Sequence, residues 1–298
     1  MTIGCIIILY NKSYEEVKKN IKTIYKDIDN FYIINNSKIS YHSKNKKILI
    51  KNLNVNLGIA AAQNLGLIEA YKKKNDYILF SDQDTIFGKN FVKEIFLAFK
   101  ETEKKNKSIF AISPNLYDRN KQVISGFVQR FFFFRFTIFN NNINTPKKNI
   151  SEISETMSSG MFLKTQVLKK IGFLNEDLFL DWVDFDLCWR ANNKGYKLFG
   201  AKDIVANHFL GKKAAIFFRK KYHLHDVNRV YYILRNGIYI SLYKFDINFF
   251  WKINIFFNTI RYLIGYLIFI RPFFTVCKFS FLGLLHGISG KLGKLNYD

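Results

Sequence analysis

Tyr77-Ile78-Leu79-Phe80-Ser81-Asp82-Gln83-Asp84 is the stretch on which the fold turns. Residues 77–81 form a β-favouring run that reads as a buried strand, and the stretch 90–104 after it reads as a helix. Asp82 and Asp84 therefore leave the carboxyl end of a central strand together, at the edge where open α/β sheets bind ligands. Carboxylates one residue apart in an extended exit can point the same way. Their hard oxygens suit Mg²⁺ or Mn²⁺, and such an ion would hold a diphosphate. Asp-x-Asp is frequent by chance, and its plain alternative is a turn with two solvated carboxylates.

Outward from this stretch, strand-like and helix-like segments alternate: 3–10, a helix near 14–25, 31–34, 48–50, a helix over 59–71, then 77–81, with 109–113 as a further strand. Such alternation predicts an α/β fold, a mostly parallel sheet flanked by helices. The pattern fails over 114–155, where 140–142 and 146–148 mark loop. Phe131 to Phe134, flanked by Arg130 and Arg135, reads either as rings packed on the sheet or as a flap facing membrane or acceptor. Order returns with a strand over 156–163 containing Ser158-Ser159-Gly160, a helix near 165–171, a loop to Asp181, a helix over 182–193, and short strands at 196–199 and 204–208. The main domain is expected to span 1–215, with 216–298 a helical, aromatic-rich C-terminal extension.

The 298 residues carry 46 Lys plus Arg against 23 Asp plus Glu, a net charge of +23, which calls for an anionic partner or surface. Zinc-finger spacing, an RNP-like aromatic motif and a basic heptad segment are all missing, which argues against nucleic acid and for an anionic membrane surface. The stretch 249–285 is dense in Phe, Ile and Leu, but Lys252, Arg261, Arg271 and Lys278 interrupt it, so no membrane-spanning helix is expected. Helices of this composition suit a membrane surface, or ordinary packing onto the main domain. Cys5, Cys188 and Cys277 have neither metal-ligand spacing nor an even count, and the chain opens on a strand without a basic leader or cleavage site. The expected location is the cytoplasm, peripheral on the inner face of the plasma membrane.

Two further constellations carry chemistry. In Asp181-Trp182-Val183-Asp184-Phe185-Asp186-Leu187-Cys188-Trp189-Arg190, Asp181 reads as a helix cap, and Asp186 with Arg190 as an ion pair four residues apart. Asp184 has no such structural role in the pattern, and on a helix starting near Trp182 it could face the strand ends as a general base. His208, in Asn207-His208-Phe209-Leu210-Gly211, ends a short strand and is either a third metal ligand, a phosphate contact or a satisfied structural histidine.

Taken in order, Ile8-Leu9-Tyr10-Asn11, Asn35-Asn36-Ser37, Asn56-Leu57-Gly58-Ile59-Ala60-Ala61-Ala62-Gln63-Asn64-Leu65-Gly66, Ser81 to Asp84, Ser158-Ser159-Gly160, the 181–190 segment, 208–211 and Tyr231-Tyr232-Ile233-Leu234-Arg235-Asn236 resemble glycosyltransferase family 2, more narrowly its rhamnosyltransferase-like branch. The resemblance implies the GT-A fold, a nucleotide-sugar donor, a divalent metal (Mg²⁺ or Mn²⁺) and inversion at the anomeric carbon. By matched position, Tyr10, Asn11 and Asn36 would line the nucleotide, with Gly58 and Asn64 beneath it. Asp82 would contact the ribose or metal region and Asp84 the metal itself; His208 stays the third metal ligand that its place at a strand end suggests. Asp184 matches the family's catalytic aspartate, with Val183 where glutamate is usual. Asp181, Trp182 and Arg190 would support the acceptor side or the structure. Many members carry aspartate at the position of Asn36, and Gln-x-x-Arg-Trp is missing, which argues against a processive synthase.

The expected activity is therefore transfer of a sugar, rhamnose first, from a donor such as dTDP-rhamnose to a glycan or lipid-linked glycan acceptor in cell-surface polysaccharide assembly. Glucose or galactose as the sugar, and a membrane-surface binder without catalysis, are the alternatives. A glycoside hydrolase would also use paired carboxylates, but without a diphosphate-binding metal site.

Overall fold

The first strand, Ile3–Leu9 (β1), is buried along its whole length, as a central parallel strand with both faces covered must be. The computed structural model describes residues 1–119, 122–131, 134–138, 150–208, 213–217, 220–224 and 227–296. After β1 come Tyr14–Ile21 (α1), Asn30–Asn35 (β2), Ile48–Asn52 (β3), Ile59–Lys72 (α2) and Tyr77–Asp82 (β4). β1 pairs in parallel with β2 and β4, and β2 with β3. Next are Ile86–Phe87 (β5), Phe91–Lys105 (α3), Ile109–Asp118 (β6), Val123–Ile124 (β7), Phe127–Phe131 (β8), Phe134–Ile138 (β9), Ile150–Ile153 (β10), Phe162–Lys164 (β11), Thr165–Ile171 (α4), Val183–Asn193 (α5) and Lys197–His208 (β12). A hairpin, Lys213–Phe217 (β13) and Lys220–Leu224 (β14), leads to three helices, Val227–Tyr243 (α6), Phe249–Phe269 (α7) and Phe273–Ser289 (α8).

The main sheet has the order β10-β12-β6-β11-β4-β1-β2-β3. β11 runs antiparallel to both β4 and β6, and β12 runs parallel to β6. It follows that β1, β2, β4, β6 and β12 all point the same way and end at one edge. Alternate residues feed two cores. Ile6, Ile8, Tyr32, Ile34, Ile78 and Phe80 pack with α2 and α5 on one face, while Cys5, Ile7, Leu9, Phe31, Ile33 and Leu79 pack with α1 and α3 on the other.

Three expectations change. The strand read over 156–163 is confined to β11, because Gly160 turns the chain with φ 80° and a Cβ there would lie 2.6 Å from the Pro114 ring. The order lost at residue 114 in fact continues, since β6 runs to Asp118 through Pro114. Proline is tolerated there because its partner region of β12 is irregular, the register shifting between Ala201 and Val205. The strands read as 196–199 and 204–208 are accordingly one bulged strand, β12. Of the aromatic cluster at Phe131 to Phe134, residues 132 and 133 lie outside the described residues, as do 140–142, 146–148 and 209–211. Arg130 is no exposed flanking cation: it is buried in an ion pair 2.7 Å from Glu155, which also accepts from Trp189 Nε1.

Among the described residues no helix is long and apolar enough to cross a membrane. Helices α6, α7 and α8 pack together, and α6 and α7 add side chains to the cavity at the sheet edge.

Candidate functional site

Tyr10, Asn36, Asp82 and His208 follow or close the parallel strands β1, β2, β4 and β12, so topology alone brings them to one edge. A turn after β4, closed by Thr85 N–H donating to the Asp82 carbonyl, returns Asp84 toward His208. Asp82 Oδ2 lies 3.6 Å from His208 Nε2, and Asp84 Oδ1 lies 3.3 Å from Nδ1. One ligand atom from each of the three residues lies within 4.8 Å of the others. Ligands about 2.1 Å from an octahedral cation are about 3 Å apart when adjacent and about 4 Å when opposite, so this donor set fits Mg²⁺ or Mn²⁺ after small side-chain movement.

The electrostatics agree. Burial pushes the Asp82 carboxyl up, with His208 opposing and Asp84 adding to the rise. Burial also works against charge on Asp84, but the hydrogen bond and charge of His208 outweigh it and hold that carboxyl below its usual value. The same two carboxylates outweigh the burial of His208 and raise its imidazole. Positive charge is therefore favoured among these three groups, as a proton or a metal ion.

Across the cavity, Asp184 sits in the first turn of α5. Its Oδ2 accepts from Ser158 N–H at 2.9 Å, and its Oδ1 accepts from Phe185 N–H at 3.1 Å. Burial nonetheless pushes its carboxyl up to about 7, the nearby Asp82 adding to the effect. A carboxylate with that value is a competent proton acceptor at neutral pH.

The loop before α5 is strained: Phe179, Asp181 and Trp182 have φ of 60°, 62° and 64°. Its geometry is imposed from outside. Asn236 Nδ2 reaches the carbonyls of Leu178 at 2.9 Å, Leu180 at 2.8 Å and Asp181 at 3.1 Å, and Arg235 donates to Leu178 O at 2.8 Å. Trp182 Nε1 donates to Ile233 O. From the other side, Ile59 N–H donates to Phe179 O at 2.8 Å, an approach that requires glycine at 58, where a Cβ would lie 2.6 Å from that oxygen. The Tyr231 to Asn236 motif thus holds the loop that presents Asp181, Trp182 and Asp184.

A cavity of about 660 Å³ opens between these elements, lined by Tyr10, Asn36, Gly58, Asp82, Asp84, Asp181, Trp182, Asp184 and His208. Three other predicted residues lie elsewhere. Asn11 N–H donates to Ser37 Oγ, outside the cavity lining. Asn64 is buried, its amide spent on Leu174 and Glu176, because its turn of α2 faces the 174–176 loop. Arg190 pairs with Asp186 at 2.8 Å, as the spacing predicts, and donates to the carbonyls of Ile171 and Phe173, bracing α5 from behind. Asn36 lines the cavity but works structurally, donating to Asn56 and Gly58 and accepting from Leu57 N–H. Asp181 does not cap α5, whose cap residue is Trp182. Its carboxylate instead accepts from Arg229 Nε at 2.9 Å.

Arg229, Ile233 and Tyr262, from α6 and α7, complete the wall and were not evident from the sequence. Arg229 is the most consequential. Its side chain is 44% exposed and lines the cavity, the Asp181 charge keeps it firmly protonated, and its own charge reaches Asp82. The available signal was helical phase, since Arg229 lies four residues before Ile233 and seven before Asn236.

No protein-family model matches the chain. It is 27% identical over 246 residues to the dTDP-rhamnosyl transferase RfbF of Shigella flexneri, covering 79% of this chain and 78% of that protein. Among solved structures, S. aureus TarS 1-349 in complex with UDP-GlcNAc superposes with a TM-score of 0.56 at 14% identity, over 98% of this chain and 82% of TarS 1-349. GalNAc-T7 with UDP, GalNAc and Mn²⁺ superposes with a TM-score of 0.55 at 10% identity, over 80% of this chain, which spans about half (51%) of GalNAc-T7. The sheet order, the acidic edge and these likenesses agree: the chain is a glycosyltransferase with a GT-A-type fold.

Proposed function

We propose that the chain is an inverting, metal-dependent, non-processive transferase of glycosyltransferase family 2, with residues 1–215 as its catalytic domain and 216–298 as an extension that completes the cavity. The observation that carries this reading is the pairing across one cavity of a near-neutral carboxyl, Asp184, with the Asp82, Asp84 and His208 cluster. The likeness to a dTDP-rhamnosyl transferase supports dTDP-rhamnose as donor, and the Mn²⁺ and UDP named for GalNAc-T7 support a metal-bound diphosphate. A glycan or lipid-linked glycan is the acceptor.

Asp82, Asp84 and His208 would hold Mg²⁺ or Mn²⁺, which when bound would supply positive charge to the diphosphate leaving group. Asp184 accepts the proton of the acceptor hydroxyl as its oxygen attacks the anomeric carbon, and single displacement inverts the configuration. Ser158 and Phe185 N–H groups keep the Asp184 oxygens in place. The apolar faces of Trp182, Ile233 and Tyr262 exclude water from the reacting bond. The test is turnover across a panel of nucleotide sugars with Mn²⁺. dTDP-rhamnose is expected to be consumed fastest with inversion; a faster donor overturns the sugar, and retention overturns the mechanism.

Arg229 serves as a second cation for the diphosphate, released from Asp181 when the donor enters. Arg229→Ala should weaken nucleoside diphosphate binding by about 10- to 100-fold, the range for a charge-assisted hydrogen bond. Asp181→Asn, which frees the guanidinium, should retain or strengthen that binding. Equal losses in both variants would assign the pair to holding the loop instead.

A further inference from the structure

Helices α7 and α8 present apolar stripes to solvent. On α8 the exposed residues Phe274, Lys278, Phe281, Leu285 and Ile288 follow one another at steps of four and three, so they line one face. Phe274 is 85% and Phe281 66% exposed. The opposite face, with Val276, Phe279, Ser280 and Gly283, is buried. On α7, Phe257, Arg261, Ile264 and Ile268 repeat the pattern, with Ile255, Thr259 and Tyr266 buried. Each stripe thus carries large apolar side chains around one cation.

Charge selects the occupant. From residue 247 to 296 the chain has six cations, Lys252, Arg261, Arg271, Lys278, Lys291 and Lys294, and no Asp or Glu. A second copy would set these cations against their own kind across a two-fold axis. An anionic bilayer matches them, its headgroups taking the Lys and Arg while the rings enter the acyl boundary about 5–10 Å deep. We infer that the outer stripes of α7 and α8 are a docking face for an anionic lipid bilayer, seated by Phe257, Phe274 and Phe281.

This face bears on the acceptor, a step that rests on the proposed function. Tyr262 lines the cavity, and by helical phase it leaves α7 on the side away from Ile264. One helix, about 10–12 Å across, therefore separates the cavity from the lipid-facing stripe. An acceptor tethered to a bilayer lipid would meet Asp184 without leaving the membrane surface.

Co-sedimentation of the full chain with phosphatidylcholine vesicles, with and without phosphatidylglycerol, tests the face. Salt-sensitive binding to the anionic vesicles is expected. Phe274→Ser with Phe281→Ser should lower that partitioning by at least about tenfold. Both positions are exposed, and Mn²⁺-dependent binding of a nucleoside diphosphate, unchanged in the double variant, verifies the fold. Equal partitioning of variant and wild type overturns the face, and so does a wild type that ignores anionic vesicles. A dimer that the double variant merely dissociates assigns the stripe to a second copy and overturns it too. Vesicle binding without nucleotide binding upholds the face while defeating the proposed function, so the two failures are distinct.

Discussion

Asp184→Asn is expected to reduce sugar transfer by about 10³-fold, within the range for loss of a general base, while making the protein more stable at neutral pH. The two effects have one cause. Burial penalises the charged carboxylate and pushes Asp184 up to about 7. A folded value above the unfolded one means that neutral Asp184 suits the fold, so its contribution is fully present below the unfolded value near 4. It is lost as pH rises through the folded value. The shift corresponds to about 4 kcal/mol at most. Asp184 is only partly buried, which discounts that figure, and about 2 kcal/mol is the expected gain for asparagine. Asparagine keeps one oxygen, enough for either the Ser158 or the Phe185 N–H group, as the protonated carboxyl also does. The metal-ligating residues are untouched, so donor binding should persist.

In metal-free buffer, the variant and the wild type should therefore melt together near pH 4 and separate by several degrees at pH 8. A constant difference across that range would remove burial as the cause. For the wild type, kcat/KM should rise with pH and level off above about 7, because only the ionised carboxylate accepts the proton. Turnover by the asparagine variant within tenfold of wild type would reject Asp184 as the base.

How legible the site was in sequence depended on how local each signal was. Asp82 and Asp84 were readable because one strand and its exit carry both, and the parallel pairing of β4 with β1 then sets them at the ligand edge. The ion pair of Asp186 with Arg190 follows from helix spacing alone. Asn64 was misplaced because family position does not report helix phase, and five residues into α2 its amide faces the 174–176 loop. The strand expected over 156–163 failed at Gly160, whose left-handed backbone answers to Pro114 on another strand. Arg229 and Tyr262 were invisible for a similar reason. They reach the cavity only because α6 and α7 fold back over the sheet edge, a tertiary fact that composition registered merely as an aromatic, basic tail. The same folding explains the Tyr231 to Asn236 motif, whose Arg235 and Asn236 satisfy the carbonyls of a loop some 55 residues earlier.

Removal of the divalent cation, or Asp84→Asn, should weaken nucleoside diphosphate binding by at least about 100-fold, about 3 kcal/mol, as expected when one partner of a desolvated charge pair is lost. Asp84 is the more telling substitution of the two carboxylates. It is held below its usual value and lies closest to His208, whereas Asp82 is pushed upward by burial. A diphosphate entering this edge without a cation would face two carboxylates at short range, with Arg229 and Lys12 as the opposing charges. His208 supplies an independent readout. Its raised imidazole depends on the Asp84 hydrogen bond and on the Asp82 charge, so Asp84→Asn should lower its titration midpoint in metal-free protein, and saturating Mg²⁺ should abolish the titration in wild type. Calorimetry with dTDP and Mn²⁺ measures the first effect, and imidazole NMR of the metal-free and Mg²⁺-loaded forms measures the second. Nucleotide binding indifferent to a chelator would sink the metal assignment. An unchanged His208 midpoint in the variant would show instead that the cluster is not electrostatically coupled, and that its three residues meet at the sheet edge without acting as one site.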